Sequence, residues 1–294
     1  ASGYLAALRA ELPGERPLAG LAVVLDCGHG AASALAGPLL ADLGARVVTL
    51  GDRPDGTNIN RDAGSTHPQG LAARVAGGGF DLGFAFDGDA DRAILVDERG
   101  VIRDGDAMLF LLARDLFAGS PAAPRSIVAT SMSNLGLERA LAAEGIELLR
   151  CGVGDREVVE MLRARGLRLG GEQSGHIVDL ARSTTGDGLL TALLIADIVA
   201  RAGRPVSQLL APFRRYPQLL LNVRVKSRPP LESLPGVAAA IAAVDTRLGA
   251  DGRLVLRYSG TEPLARVMLE GPDEPVVTEL AAALADAIRA AIGA

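Results

Sequence analysis

The chain has 294 residues, carries a net charge of −5 at neutral pH, and is 49% hydrophobic and 22% charged. That apolar share supports folded cores in two or three domains and excludes a disordered chain. Lys and Arg are interspersed among Asp and Glu, which excludes a basic stripe for nucleic acid and a polybasic patch for a membrane surface.

Apolar runs alternate with helical patterns through the first two-thirds, the rhythm of α/β layers with largely parallel strands. The chain opens Ala-Ser-Gly-Tyr with neither a basic n-region nor an apolar h-region, so no secretory signal is expected, and the start without Met suggests a processed or excised product. A strand over 21–26 runs into the glycine turn Cys27-Gly28-His29-Gly30, a helix over 34–43 and a strand over 46–50. His29 reads as a turn residue, because no second Cys or His pair completes a zinc set. Pro68 after Gly64-Ser65-Thr66-His67 reads as the N1 proline of a helix over 69–75. Strands over 81–86 and 93–97 complete the first domain.

Between those two strands lies Asp87-Gly88-Asp89-Ala90-Asp91-Arg92. Carboxylates at i, i+2 and i+4 repel unless a cation sits among them, and hard oxygen ligands suit Mg²⁺ or Ca²⁺ better than zinc. Arg92 sets a fixed cation beside them, as expected where a phosphoryl group is gripped from two sides. An EF-hand begins with the same spacing and Glu98 falls at its twelfth position, but Arg92 replaces the glycine of the sixth and a strand follows at once. A plain acidic turn is the other alternative that the loop leaves open.

Asp104-Gly105-Asp106 is expected to cap a helix over 107–117, followed by a strand over 126–130, a helix over 135–143, a strand over 146–150 and a helix near 157–165. The glycine-rich loop Gly170-Gly171-Glu172-Gln173-Ser174-Gly175-His176 offers an acceptor, a hydroxyl and a titratable ring suited to sugar hydroxyls; a polar hairpin is the plainer alternative. Thr185-Gly186-Asp187-Gly188 is expected to cap the apolar helix over 188–201, whose most apolar stretch carries Asp197 and is too short to span a bilayer. Phe213-Arg214-Arg215-Tyr216-Pro217 is the linker candidate. Beyond it, strands over 219–225, 253–257 and 265–270 with helices over 237–248 and 276–292 make a β-α-β-β-α unit. Its loop Arg257-Tyr258-Ser259-Gly260-Thr261-Glu262-Pro263 reads as a phosphate cradle: Arg257 can fork onto two oxygens, Ser259 and Thr261 donate, and Gly260 lets amides approach; an ST-turn closing a hairpin is the alternative. Cys27 and Cys151, far apart and outside any CxxC pattern, point to reduced thiols and a cytoplasmic setting.

The fold class expected is therefore α/β, with two consecutive mixed α/β layered domains over 1–100 and 101–214 and a smaller α+β domain over 215–294. Taken in order, FDGDADR, GGEQSGH and RYSGTEP resemble the metal-binding, sugar-binding and phosphate-binding loops of the α-D-phosphohexomutase superfamily. PDGTNIN at 54–60, CGHG at 27–30, GSTHP at 64–68, VGDR at 153–156 and TTGDG at 184–188 make the likeness closest to its bacterial phosphoglucosamine mutase branch. The resemblance implies an isomerase that interconverts glucosamine 6-phosphate and glucosamine 1-phosphate through glucosamine 1,6-bisphosphate, the intermediate and activator, with one Mg²⁺ per chain. Asp87, Asp89 and Asp91 would hold that Mg²⁺ and Arg92 would steady the transferring group. Glu172 and Ser174 would bind sugar hydroxyls, with His176 at the same rim as contact or proton shuttle, and Arg257, Ser259, Gly260 and Thr261 would clamp a phosphate. The partner implied is a hexosamine phosphate, with no nucleic acid, no membrane, and a homodimer entertained as the assembly.

The resemblance also marks departures. No loop similar to the family's Thr-Ala-Ser-His-Asn-Pro phosphoserine segment occurs, so the chain reads as a form that lacks the N-terminal domain and is catalytically incomplete alone. Ala90 stands where glycine is usual, a change expected to be harmless if its φ is negative. Tyr258 replaces a lysine and removes a positive charge near the phosphate. A phosphomannomutase or phosphoglucomutase, and a non-catalytic sugar-phosphate-binding module, are the alternative readings.

Overall fold

A computed structural model describes residues 2–119 and 124–294. The chain divides into two compact units, one running through Ser133 and from Leu137 to Phe213, the other comprising Asn134–Gly136 and Arg214–Ala294.

The first unit holds two sheets. Helix α1 (Ser2–Ala10) precedes β1 (Ala22–Asp26), a short 3₁₀ turn (Ala31–Ala34), α2 (Ala36–Asp42), β2 (Arg46–Leu50), α3 (Gln69–Ala76), β3 (Leu82–Phe86), β4 (Ala93–Asp97) and β5 (Ile102–Arg103). The first sheet has the order β2-β1-β3-β4-β5, parallel across β2, β1 and β3 and antiparallel onward. Every residue of β1, β3 and β4 is buried, as strands covered on both faces should be. Their side chains alternate between two cores: Val23, Leu25, Phe84, Phe86 and Leu95 meet Leu39 and Leu40 of α2, whereas Val24, Ala85, Ile94 and Val96 meet Leu71 and Val75 of α3.

The second sheet follows α4 (Gly105–Leu116) and contains β6 (Ser126–Thr130), β7 (Glu147–Cys151), β8 (Leu169–Gly171) and β9 (Ile177–Asp179), with α5 (Leu135–Ala143) and α6 (Asp155–Arg165) between them. Its order is β7-β6-β8-β9, parallel except for the β8–β9 hairpin. Helix α7 (Gly188–Ala202), apolar on nearly all sides, and the short α8 (Val206–Leu209) complete the unit. One core runs from Leu25 and Phe84 through Met108 and Phe110 of α4 and Leu193 of α7 to Ile127 and Ile177, so both sheets share it. Cys27 and Cys151 are buried free thiols; burial pushes them up to about 12 and about 11, which makes them inert.

The second unit has β10 (Gln218–Arg224), α9 (Pro235–Leu248), β11 (Arg253–Tyr258), β12 (Leu264–Glu270) and α10 (Glu274–Ile292), the expected β-α-β-β-α order. Its sheet is antiparallel in the order β10-β12-β11, and α10 buries Leu280, Leu284 and Ile288. Compared with the sequence reading, α1, β5, β8, β9 and α8 are additional, since none shows a long apolar period. The helix placed over 34–43 is split into the 3₁₀ turn and α2. Pro68 sits at the N-cap of α3 rather than inside its first turn. Among the described residues no helix is long and apolar enough to cross a membrane.

One buried ion pair organises the second unit. The fully buried Glu270 carboxylate accepts from Arg253 Nε at 2.9 Å, Gln218 Nε2 at 2.5 Å and the Leu135 amide at 3.1 Å. Substituting Glu270→Ala strips the mostly buried Arg253 guanidinium of this partner, and a change of that kind costs about 3 kcal/mol. A urea titration followed by circular dichroism should show that loss in the second unit; a change below about 1 kcal/mol would show that the pair contributes little net stability.

Candidate active site

The acidic loop joins β3 to β4 at the carboxyl ends of the parallel strands, where open α/β sheets place their ligand crevices. Oxygen atoms of Asp87, Asp89 and Asp91 lie within 4.8 Å of one another. Asp87 Oδ1 accepts from the Arg92 amide at 3.1 Å, while Asp91 Oδ1 is buried without a hydrogen bond. Burial pushes the Asp87 carboxyl up to about 6, and a hydrogen bond with Asp91 and the charges of Asp91 and Asp89 add to that shift against the opposing Arg92 amide. This is the chemistry of a site short of positive charge. Three hard oxygen donors, one of them without a hydrogen bond, fit Mg²⁺.

Arg92 supplies the nearest fixed cation, its Nε 3.6 Å from both Asp87 and Asp91, with 45% of the side chain exposed. It thus leans on the carboxylates while keeping its outer nitrogens available. His176 comes from the second sheet's hairpin and bridges to Arg92 through the backbone. Its ring is buried instead of standing at the rim: Nε2 lies 3.6 Å from Asp91 Oδ2, and Nδ1 makes no hydrogen bond. The fold thus brings Asp87, Asp89, Asp91, Arg92 and His176 together from two sheets of one unit.

Glu172 and Ser174 belong to the same hairpin. Glu172 Oε1 accepts from the Gly154 amide at 3.2 Å, and Ser174 is exposed. The hairpin is docked by main-chain bonds, with Gly105 N donating to Gln173 O at 3.0 Å and Ala93 N to Gly175 O at 3.2 Å. Asp104 caps α4 through the Ala107 amide, but Gly105 has a further role that capping does not explain: a Cβ there would strike the Glu172 carbonyl. A Cβ on Gly186 would likewise fall inside the His176 ring.

The start of α7 supports the acidic loop. Asp187 caps the helix through the Leu190 amide at 2.9 Å, and the next amide, Gly188 N, donates to Ala90 O at 2.9 Å. Tyr4 Oη donates to Asp187, 2.9 Å from each carboxylate oxygen. Burial raises the Tyr4 phenol above its ordinary range, and the Asp187 charge adds to that. Tyr4 and Asp187 line, with Asp89, Asp91 and Leu189, a cavity of about 210 Å³ beside the acidic loop. The caps expected at Asp104 and Asp187 are present, and the glycine after each lies against another backbone, Gly105 at the Glu172 carbonyl and Gly188 at the Arg92 carbonyl.

In the second unit, Arg257 is the penultimate residue of β11, and its half-buried guanidinium makes no hydrogen bond or ion pair among the described residues. Ser259 is buried and its hydroxyl accepts from the Glu262 amide at 3.3 Å, whereas Thr261 is exposed. Gly260 has open space where a Cβ would stand, so no protein neighbour requires glycine there. Tyr258 donates to Pro229 O at 2.7 Å, directing its hydroxyl to the protein's own backbone.

Ala90 overturns its condition: φ is +62°, not negative. A left-handed alanine costs roughly 1–2 kcal/mol, against about 0.4–1 kcal/mol for the extra chain entropy of glycine. Ala90→Gly should therefore stabilise the first unit by about 0.5–1 kcal/mol and raise its melting point by about 1–4 °C in differential scanning calorimetry. An unchanged or lower melting point would show that Ala90 does not hold that backbone.

Comparison with known proteins places these loops in a family. Phosphoglucomutase/phosphomannomutase models match in succession: α/β/α domain II over residues 2–100, α/β/α domain III over 104–216 and the C-terminal domain over 220–287. The phosphoglucosamine mutase of Anaeromyxobacter dehalogenans is 49% identical over 290 residues, 99% of this chain and 63% of that protein. Among solved structures, a phosphoglucomutase/phosphomannomutase family protein of Burkholderia thailandensis superposes with TM-score 0.78 at 26% identity, over 99% of this chain and 64% of its own. The Aspergillus fumigatus N-acetylphosphoglucosamine mutase, solved with GlcNAc-6P and magnesium, does so with TM-score 0.77 at 23% identity, over 98% of this chain and 65% of its own, a likeness of fold. The chain thus spans less than two-thirds of the length of these relatives. With three successive domain models covering nearly all of its residues, the chain belongs to the phosphoglucomutase/phosphomannomutase family.

Proposed function

We propose that this chain carries the metal-, sugar- and phosphate-binding loops of a phosphoglucosamine mutase, an isomerase that interconverts glucosamine 6-phosphate and glucosamine 1-phosphate through glucosamine 1,6-bisphosphate. The observation that carries the reading is the convergence of Asp87, Asp89 and Asp91 with Arg92 and His176. The 49% identity to the Anaeromyxobacter protein supports the amino-sugar branch over a phosphomannomutase or phosphoglucomutase.

Asp87, Asp89 and Asp91 would hold Mg²⁺, which when bound offsets charge on a transferring phosphoryl group. Arg92, anchored on two carboxylates and half exposed, turns its free nitrogens to phosphoryl oxygens. His176, its Nε2 3.6 Å from Asp91 Oδ2, would act there as a contact or proton shuttle. Glu172 accepts from sugar hydroxyls and Ser174 donates to them. Arg257, which makes no hydrogen bond or ion pair among the described residues, takes a substrate phosphate with Ser259, Thr261 and the Gly260 backbone. The phosphoryl donor of the family is a serine in a loop similar to Thr-Ala-Ser-His-Asn-Pro, and the 294 residues hold no such loop. In this reading the chain binds its ligands but turns over only when that loop is supplied. The domain divisions at 100/101 and 214/215, the homodimer and a cytoplasmic setting belong to the same proposal.

Calorimetric titration of glucosamine 6-phosphate in the presence of Mg²⁺ tests it, beside glucose 6-phosphate and the Arg257→Ala variant. Saturable binding should favour the amino sugar and weaken at least tenfold in the variant, about 1.4 kcal/mol or more. Equal binding of both sugars would move the assignment to another hexose, and binding untouched by the variant would remove Arg257 from the site.

A further inference from the structure

All four non-glycine residues with a left-handed backbone among those described, His29, Asn60, Asp62 and Ala90, lie in three loops of the first sheet. These loops follow β1, β2 and β3, and their main chains are tied together around the acidic loop. Cys27 N donates to Leu50 O at 2.9 Å, Asn60 N to Gly28 O at 2.8 Å, Ser65 N to Phe86 O at 2.9 Å and Ala31 N to Gly88 O at 2.8 Å. Strain clustered at one place in a fold points to a requirement of that place.

The centre of this collar is a single side chain. A Cβ on Gly28 would stand 3.1 Å from Asn60 Oδ1, and one on Gly64 3.3 Å from the same atom. A Cβ on Gly88 would stand 3.1 Å from Asn60 Nδ2 and 2.6 Å from Ile59 Cδ1. The carboxamide is thus wedged among three glycines from three loops, with Oδ1 buried and making no hydrogen bond. Nothing in that arrangement satisfies Oδ1, and the left-handed backbone at residue 60, φ +56°, is one that glycine adopts at lower cost. What the asparagine adds is bulk against Gly88, the residue between the first two carboxylates.

We propose that Asn60 is a positioning residue for the metal loop: its carboxamide, packed against Gly28, Gly64 and Gly88, sets the separation of the Asp87 and Asp89 side chains. Ile59 completes the wedge from the solvent side, which accounts for an isoleucine left 57% exposed. The inference rests on the reading of the three aspartates as a Mg²⁺ site. Residues that orient metal ligands without touching the metal change affinity by about 10–100-fold when removed.

The test is calorimetric titration of Mg²⁺ alone into the full chain and into Asn60→Gly, with the thermal midpoint of each. Glycine keeps the left-handed backbone and removes only the wedge. The expected result is a Kd raised about tenfold with a midpoint that holds or rises. A purely structural role gives the opposite pattern, a lower midpoint with unchanged affinity, and overturns the proposal. Ile59→Ala provides the second variant, because an exposed side chain can be removed without unfolding the chain. It should weaken Mg²⁺ binding by about threefold, a smaller effect than the full loss of a supporting residue. If Asn60→Gly does not fold, an Ile59→Ala chain with wild-type affinity overturns the proposal. A wild-type chain that takes up no Mg²⁺ overturns the metal reading itself, a result distinct from a wild-type chain that binds beside a variant that binds equally.

Discussion

The mutual repulsion of three carboxylates in one five-residue stretch is the constraint around which the first unit is arranged. Ionised groups this close push one another apart, and burial together with the neighbouring Asp91 and Asp89 raises the Asp87 carboxyl above its ordinary range. The surrounding elements supply the restraint through main-chain bonds: Ala31 from the β1 side, Gly188 from the start of α7 and Gly175 from the β8–β9 hairpin. Backbone amides and carbonyls suit this task because they are held by two rigid sheets and cannot swing away as long side chains do.

Close approach explains the placement of glycines better than chain flexibility does. Gly105, Gly186 and Gly188 have backbone conformations open to any residue, yet a Cβ at each would run into the Glu172 carbonyl, the His176 ring or the Arg92 and Ala90 carbonyls. The two sheets of the first unit therefore meet at the site through bare backbone. Ala90 is the exception, a side chain in a left-handed position where glycine would fit, and its strain is carried by a loop whose other contacts over-determine its path.

The two candidate binding regions are built on different physical plans. The acidic loop is pinned by main-chain hydrogen bonds from its neighbours, and its carboxylate oxygens face one another, Asp91 Oδ1 among them without a hydrogen bond. The Arg257 loop is more open: its guanidinium makes no hydrogen bond or ion pair among the described residues, Thr261 is exposed, and Gly260 has free space around it. An anion bound there would gain hydrogen bonds without displacing existing ones, which favours binding of a charge-dense phosphate over an apolar ligand.

How much was legible in the sequence follows from the range of the interactions involved. The buried strands, the apolar α7 and the β-α-β-β-α order of the second unit were readable because side-chain period and turn residues are local signals. So were the acidic loop and the caps at Asp104 and Asp187, whose partners lie within a few residues. Four things were not. The sign of φ at Ala90 depends on what the loop is pinned to, and the burial of His176 depends on Gly186. The tie between Tyr4 and Asp187 joins residues 183 positions apart. The wedge of Asn60 among three glycines is likewise a product of three strand ends meeting. The sequence by itself determined which groups carry charge, which segments are apolar and how the carboxylates are spaced, since those are fixed by residue identity and chain geometry. Only the tertiary structure decided which of those groups are buried, strained or left without a partner, because those properties depend on distant backbone brought within a few ångströms by the packing of the core.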